Sequence, residues 1–168
     1  SSLRGTAAVP IRWQHLMEVP EGLVAASGVG RHVFALGYFG HVLYRYDTAT
    51  GEQKRVVVGS LDGHVSRNFL ADAIGHAYVP RLRRLPDGAI RAELVEYDSE
   101  LRELKATPLD DYLGKATPED HHGITGLAYL ADGRMVFTTH RGQLYLIEPN
   151  DRTPANVSLV GWFHPDGE

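Results

Sequence analysis

Cysteine is absent from this chain of 168 residues, so neither a disulfide framework nor a thiolate metal site can form. Long apolar runs are also missing, because the longest span only a few residues and a helix needs roughly 20 to cross a bilayer. We therefore expect no membrane span. Basic residues are not in excess, since the net charge is -4, and this argues against a nucleic-acid partner.

Helix signals are sparse. The best candidate is 108–114, where Pro108 and two acidic residues precede Gly114, but it allows only one or two turns. It falls within a long connection, 106–122, which we interpret as a decorated loop. Long connections without regular structure are often lids or binding loops.

The main feature that is present is an internal repeat. An apolar strand, a glycine turn and a second apolar strand recur at 25–34, 70–79 and 130–137. Each unit continues with a strand that ends in a carboxylate, and these carboxylates, Asp47, Asp98 and Glu148, lie about 50 residues apart. A turn and a fourth apolar strand follow at 55–58, 101–104 and 157–160. Because the carboxylates recur once per unit, we expect them to cap the turns.

Four short strands in a unit of about 40 to 50 residues is the period of a propeller blade. The predicted fold is all-β, with about three four-stranded antiparallel blades of a β-propeller in a single domain, 1–168. The approximate blades are 21–60, 64–107 and 121–163, and 1–20 is expected to be an outer strand of a preceding blade. The Tyr and Phe residues recur with period two, which predicts core or inter-blade packing.

Three blades do not close a ring, because propellers typically have about four to eight. Two alternatives follow: the chain is part of a larger six- or seven-bladed ring, or copies of it associate. The expected partners are therefore the remaining blades or a second copy. An open array would expose apolar blade faces and strand edges.

The third unit carries a characteristic series of short motifs at 120–133, 135–139 and 142–149. The series is His-Gly-Ile, Asp-Gly, apolar-Phe-Thr, then Gly and apolar-Ile-x-Pro. It resembles the NHL/YVTN-type repeats of streptogramin lyase, gluconolactonase and related propellers, closely in the third unit and loosely in the first two. The resemblance implies either a lyase or lactone hydrolase with a divalent metal in the central channel, or a non-enzymatic binding module.

Nine histidines are the unusual polar feature of the chain. In a four-stranded blade, the loop leading into the innermost strand and the loop joining the second and third strands lie on one face of the ring. Five histidines fall in such loops. We assign catalysis to His122 and His140, and binding of a divalent metal (Mn, Mg, Ca or Zn) to His41, His64 and His121.

Three arginines are predicted to bind the ligand beside these histidines: Arg67, Arg81 and Arg141. Together the eight residues form what we call the predicted mouth. A metal there could stabilise an enolate-like intermediate, or a neutral histidine could remove a proton while an arginine neutralises a carboxylate. The predicted ligand is a small or carbohydrate-like molecule, and the predicted activity is that of a metal-assisted lyase or hydrolase.

Less specific alternatives stay open for the same residues. The loops could instead bind a protein or glycan as part of a non-catalytic scaffold, in which the histidines have no chemical role. Arg81 belongs to a basic cluster that continues to Arg84, which favours a solvated hairpin over an anion site. His32 and His76 follow the glycine turn at equivalent positions, so we interpret both as structural.

Overall fold

A computed structural model describes residues 10–37, 42–59, 68–72, 74–109, 124–139, 141–148 and 156–162. Within these ranges, twelve strands form three four-stranded antiparallel sheets. Strand order in each sheet follows the chain, so each sheet is a simple meander. The predicted all-β fold of three four-stranded antiparallel blades is confirmed.

The strands of the three sheets have the following bounds. Sheet 1 contains β1 (Leu23–Val29), β2 (His32–Gly37), β3 (Val42–Asp47) and β4 (Gln53–Val57). Sheet 2 contains β5 (Leu70–Ala71), β6 (Ala77–Arg84), β7 (Ile90–Tyr97) and β8 (Glu103–Pro108). Sheet 3 contains β9 (Ile124–Tyr129), β10 (Met135–Thr139), β11 (Gln143–Glu148) and β12 (Asn156–Trp162).

A glycine with positive φ stands in the turn between the first and second strands of every sheet. The φ angles are 56° at Gly30, 86° at Gly75 and 87° at Gly133. Residues other than glycine rarely adopt this backbone conformation, because their Cβ atom crowds the backbone. The glycines that define the sequence repeat are therefore the residues that reverse the chain between paired strands.

Two hydrophobic clusters lie between the sheets. The first joins sheets 1 and 2 and includes Phe34, Leu36, Leu43, Val79, Val95 and Tyr97. The second joins sheets 2 and 3 and includes Tyr78, Leu82, Leu94, Met135, Phe137 and Ile147. Successive side chains of a strand point to opposite faces, so Tyr78 and Val79 enter different clusters and sheet 2 is covered on both faces. The prediction of core or inter-blade packing is confirmed for the described aromatic residues Phe34, Tyr78, Tyr97 and Phe137.

The first strands of the three sheets are neighbours, because β5 contacts both β1 and β9. Since consecutive strands reverse direction, the loops that lead into β1, β5 and β9 lie at the same end as the loops joining the second and third strands. We call this the mouth end. The turns between first and second strands, and between third and fourth strands, lie at the opposite end, which we call the turn end.

One strand begins later than the sequence indicates. We expected a strand at 101–104, but β8 begins at Glu103, because Leu101 adopts a φ of 59° in a turn. Its main-chain N–H donates to the carbonyl of Asp98 over 2.9 Å. The turn after β7 therefore takes up residues that hydrophobicity alone assigned to the strand.

The segment before β1 forms no strand in residues 10–22. The side chains of Ile11 and Trp13 are exposed. An outer strand would need the third strand of its own blade as a partner, so the outer strand of a preceding blade stays a prediction. The helix candidate lies outside the described residues beyond Leu109. Over the described ranges, the chain has no helix long and apolar enough to cross a membrane.

Candidate functional site

Most of the predicted mouth lies outside the described residues. This holds for six of its eight members: His41, His64, Arg67, His121, His122 and His140. The other two, Arg81 and Arg141, are described. The described residues on either side of the six undescribed positions give the local geometry of the mouth end.

The flanks of three mouth residues meet at the mouth end. Asn68, next to Arg67 in the chain, donates from its side-chain amide to the main-chain carbonyl of Thr125 over 2.9 Å. The hydroxyl of Thr125, three residues after His122, is 3.0 Å from the hydroxyl of Thr138. Thr138 lies two residues before His140. Two hydrogen bonds therefore join the chain positions beside Arg67, His122 and His140.

A buried polar network holds the ends of the loop between β10 and β11. The Thr139 hydroxyl donates to Oε1 of Gln143 over 2.9 Å and accepts the main-chain N–H of Arg141 at 3.3 Å. The Gln143 amide donates in turn to the Tyr145 hydroxyl over 3.1 Å. Thr139, Gln143 and Tyr145 are all buried, whereas Arg141 is exposed. The network fixes the backbone on both sides of His140 and leaves Arg141 accessible.

Arg81 is held by two carboxylates of its own sheet. Its Nε donates to Glu93 over 2.9 Å and its Nη1 donates to Glu103 over 3.0 Å. Arg83 shares Glu93, with Nη2 at 2.8 Å from Oε1. Burial lowers the pKa of Arg81, but the two carboxylates outweigh it and leave that pKa above its ordinary value. An acidic ligand could reach Arg81 only by displacing Glu103, the more exposed of its two partners.

A second polar cluster lies at the turn end, between sheets 2 and 3. His76 Nδ1 is 2.7 Å from Glu96 Oε1, and the Tyr78 hydroxyl donates to Asp72 over 3.1 Å and to Glu96 over 3.3 Å. Burial, with help from the two carboxylates, raises the pKa of Tyr78 above its ordinary value. Burial likewise raises the pKa of Tyr129, which neighbours the same carboxylates.

The cavity in this cluster is small. Its volume is about 10 Å³, and Tyr78, Glu96, Lys105 and Thr107 are among its lining residues. That volume is close to the minimum for one water molecule. Burial lowers the pKa of Lys105 and the Glu96 carboxylate acts against this. The cluster therefore joins two sheets and holds no substrate-sized space, which agrees with a structural role for His76.

Two of the repeated carboxylates cap turns as predicted. Asp47 accepts the main-chain N–H of Ala49 at 2.9 Å, and Asp98 accepts those of Glu100 and Arg102, both at 2.9 Å. Burial raises the pKa of Asp47 and of Asp98, but their hydrogen bonds outweigh it and both pKa values lie below the ordinary value.

The sequence analysis missed a basic partner for these carboxylates. His32 Nε2 lies 3.6 Å from Asp47, and Arg134 Nη1 lies 3.8 Å from Glu148 at the equivalent position of sheet 3. The signal was present in the sequence, because His32, His76 and Arg134 all stand at or directly before the start of the second strand of their sheet. The contact of His32 with Asp47 crosses the pair of β2 and β3, which agrees with the structural interpretation of His32.

Arg45 is a second feature that the sequence analysis missed. Its side chain is fully buried, and Nη2 donates to Glu52 over 2.9 Å. Glu100 of sheet 2 lies 3.9 Å from the same nitrogen and is also paired with Lys54 of β4. These ion pairs connect sheets 1 and 2 at the turn end. No group of three potential metal-binding side chains occurs among the residues that the structure describes.

Comparison with known proteins supports the fold. No protein-family model matches the chain, and no curated protein is significantly similar to it. The N-terminal domain of Nup159 superposes with a TM-score of 0.52 at 12% identity, over 86% of this chain and 39% of that one. HIRA(644-1017) gives a TM-score of 0.46 at 13% identity, over 84% of this chain and 41% of that one.

This chain thus spans less than half of either structure. The likeness to Nup159 and the three all-β sheets show a β-propeller-like fold. At these identities the likeness concerns the fold alone. The comparisons do not single out the streptogramin lyase or NHL type that the third unit resembles.

Proposed function

Starting from a β-propeller-like fold, we propose that this chain supplies blades whose mouth end binds a small or carbohydrate-like ligand, with metal-assisted lyase or hydrolase activity. The metal ligands in this proposal are His41, His64 and His121. The catalytic residues are His122 and His140. Arg67 and Arg141 neutralise an acidic group of the ligand, with Arg81 as a further, carboxylate-paired arginine.

The observation that carries the proposal is the junction of Asn68, Thr125 and Thr138. The 2.9 Å hydrogen bond links Asn68, two residues before β5 of sheet 2, to β9 of sheet 3, and the 3.0 Å contact links β9 to β10 within sheet 3. The chain positions of Arg67, His122 and His140 are one to three residues away from this junction. Side chains that start so close together can reach one ligand, which is the first requirement for shared chemistry.

The residue types suit a divalent ion and an acidic substrate. Neutral imidazoles bind zinc, manganese and related ions, and a bound ion acts as a Lewis acid on a carbonyl oxygen. A histidine outside the metal shell could take the proton next to that carbonyl. The exposed Arg141 offers a planar guanidinium for a carboxylate of the substrate.

Metal-dependent thermal unfolding tests this proposal. A metal that binds only the folded state raises the melting temperature by mass action. We expect Mn²⁺ or Zn²⁺ to stabilise the wild-type chain, a chelator to reverse the effect, and His122→Ala or His140→Ala to weaken it. The matched control is His15→Ala, since His15 is exposed and lies before β1. A wild-type chain that responds to neither metal nor chelator would overturn the proposal.

A non-catalytic interaction scaffold is the second candidate, and one observation favours it. Apolar side chains on outer strands are exposed, with Val57 68%, Leu104 50% and Val160 59% accessible. Exposed apolar surface of this kind can bind a protein or glycan. A scaffold would bind its partner equally well with metal and with chelator, whereas the enzyme would not act without metal.

A further inference from the structure

The hairpin of β6 and β7 is longer than its counterparts in the other sheets. Both strands have eight residues, whereas β2, β3, β10 and β11 have five or six. Cross-strand pairing continues to Arg84 and Ile90, at the mouth end. Leu82 and Ile90 of this extension pack in the cluster between sheets 2 and 3, whereas the arginines beside them do not belong to that cluster. We call residues 82–91 the arginine arm.

The arm concentrates positive charge in a chain whose net charge is -4. It carries Arg83, Arg84 and Arg91, against a single acidic residue, Asp87. Arg83 lies directly opposite Arg91 in the strand pairing. Like charges in this relationship destabilise a sheet. Glu93 offsets part of this repulsion, because it accepts hydrogen bonds from Arg83.

Arg83 of the arm binds a carboxylate of the protein itself. Arg83 places two of its nitrogens on one oxygen of Glu93, at 3.2 Å and 2.8 Å. Arg81, just before the arm, binds the other oxygen of the same carboxylate. Guanidinium groups suit carboxylates because several donors lie in one plane. Nearly half of the Arg83 side chain is exposed, and Arg84 is exposed as well.

We propose that the arginine arm is a docking site for an acidic peptide segment of a partner protein. A peptide fits better than a nucleic acid, because a long polyanion would be repelled by the overall negative charge. A short acidic segment interacts mainly with charges within the screening distance of about 8 Å at physiological salt. The arginines of the arm are not among the residues of the predicted mouth.

Binding of a fluorescein-labelled oligoglutamate peptide, followed by fluorescence anisotropy, tests the proposal. The test variant is Arg84→Gln with Arg91→Gln. The control is Arg12→Gln with Arg55→Gln, which makes the same change in net charge at exposed positions elsewhere. We expect the test variant to weaken binding roughly tenfold and the control to change it little. Equal melting temperatures would show that both variants are folded.

Three outcomes would overturn the proposal. The first is wild-type protein that does not bind the peptide at low salt. The second is an equal loss of affinity in the test and control variants, which would reflect net charge and not the arm. The third is a DNA oligonucleotide that binds the arm more tightly than oligoglutamate does. Because the histidines are unchanged in both variants, the metal response is measured independently of this result.

Discussion

The side-chain amide of Asn68, two residues before β5, donates to the main-chain carbonyl of Thr125 in β9 across 2.9 Å and so links two neighbouring sheets at the mouth end. Thr125 continues the connection through its hydroxyl to Thr138 on the second strand of sheet 3. The contact between the two sheets and the proposed ligand site therefore depend on the same short stretch of chain.

Replacing Asn68 by alanine should affect binding more than folding. The lost hydrogen bond is exposed, so the free energy of unfolding should fall by about 0.5–1.5 kcal/mol. The affinity for Mn²⁺ should fall more, because the loop ends that carry His122 and Arg67 lose their common anchor. Urea unfolding and calorimetric titration measure the two quantities. An unchanged Mn²⁺ affinity would refute the link between this contact and the site.

Glu93→Gln should be markedly destabilising. Glu93 is buried and accepts hydrogen bonds from Arg81 and Arg83, so its neutralisation leaves two cations without their shared anion. We expect a loss of about 2–3 kcal/mol in urea unfolding, because Arg81 keeps Glu103 as a partner.

The control for that experiment is Glu103→Gln. Glu103 binds the same arginine, but 44% of its side chain is exposed. Its loss should cost less than about 1 kcal/mol. Equal effects of the two variants would show that burial of Glu93 does not determine its contribution.

Acid should remove the contribution of Asp98 to stability. The pKa of Asp98 is lower in the folded chain than its ordinary value of 3.8, because hydrogen bonds from Arg102 and Glu100 outweigh burial. The stabilisation is therefore complete above that ordinary value and is lost as the pH falls through the folded pKa. We expect Asp98→Asn to be less stable than wild type near neutral pH and to approach it in acid.

Urea unfolding of both proteins across this pH range measures the effect. Asp87→Asn is a suitable control, since Asp87 stands in the exposed turn of the arginine arm. This exposed substitution should change the free energy of unfolding by less than about 0.5 kcal/mol. A difference between Asp98→Asn and wild type that stays constant down to the lowest pH would contradict the linkage.

A cavity in the interface between sheets 2 and 3 should lower the free energy of unfolding markedly. Phe137 is 1% exposed, and its ring stacks on that of Tyr145 with centroids 5.0 Å apart. Phe137→Ala should lower the free energy of unfolding by about 3–5 kcal/mol. Val160→Ala, on the outer strand of the same sheet, should change it by less than about 0.5 kcal/mol. Comparable losses would mean that sheet 3 does not pack on sheet 2 through Phe137.

Strands were predictable because turn residues and apolar periodicity agree. Gly30, Gly75 and Gly133 mark the same turn in each repeat, and the strands between such turns are too short to be read as helices. Leu101 shows the limit of this reasoning. Its hydrophobicity fits a strand, but the Asp98 side chain and carbonyl bind the N–H groups of the turn and hold Leu101 outside the strand.

The ion-pair networks depend on strand register, which composition does not give. Arg81 faces Glu93 only because the turn between Leu85 and Ala89 fixes the pairing of β6 with β7. Arg45 shares the face of Leu43 that packs on sheet 2, so a charged residue enters the interface at a position where a leucine would be expected. The five histidines of the predicted mouth come from four loops, and sequence spacing does not show whether these loops converge.

The most direct test of the central claim is a distance between two mouth positions. The chain has no cysteine, so Arg67→Cys and His140→Cys can carry a pair of spin labels without further changes. Neighbouring sheets pack about 10 Å apart, so we predict a label separation below about 20 Å by electron paramagnetic resonance. A clearly longer separation would contradict the convergence of these loops and, with it, the proposed ligand site.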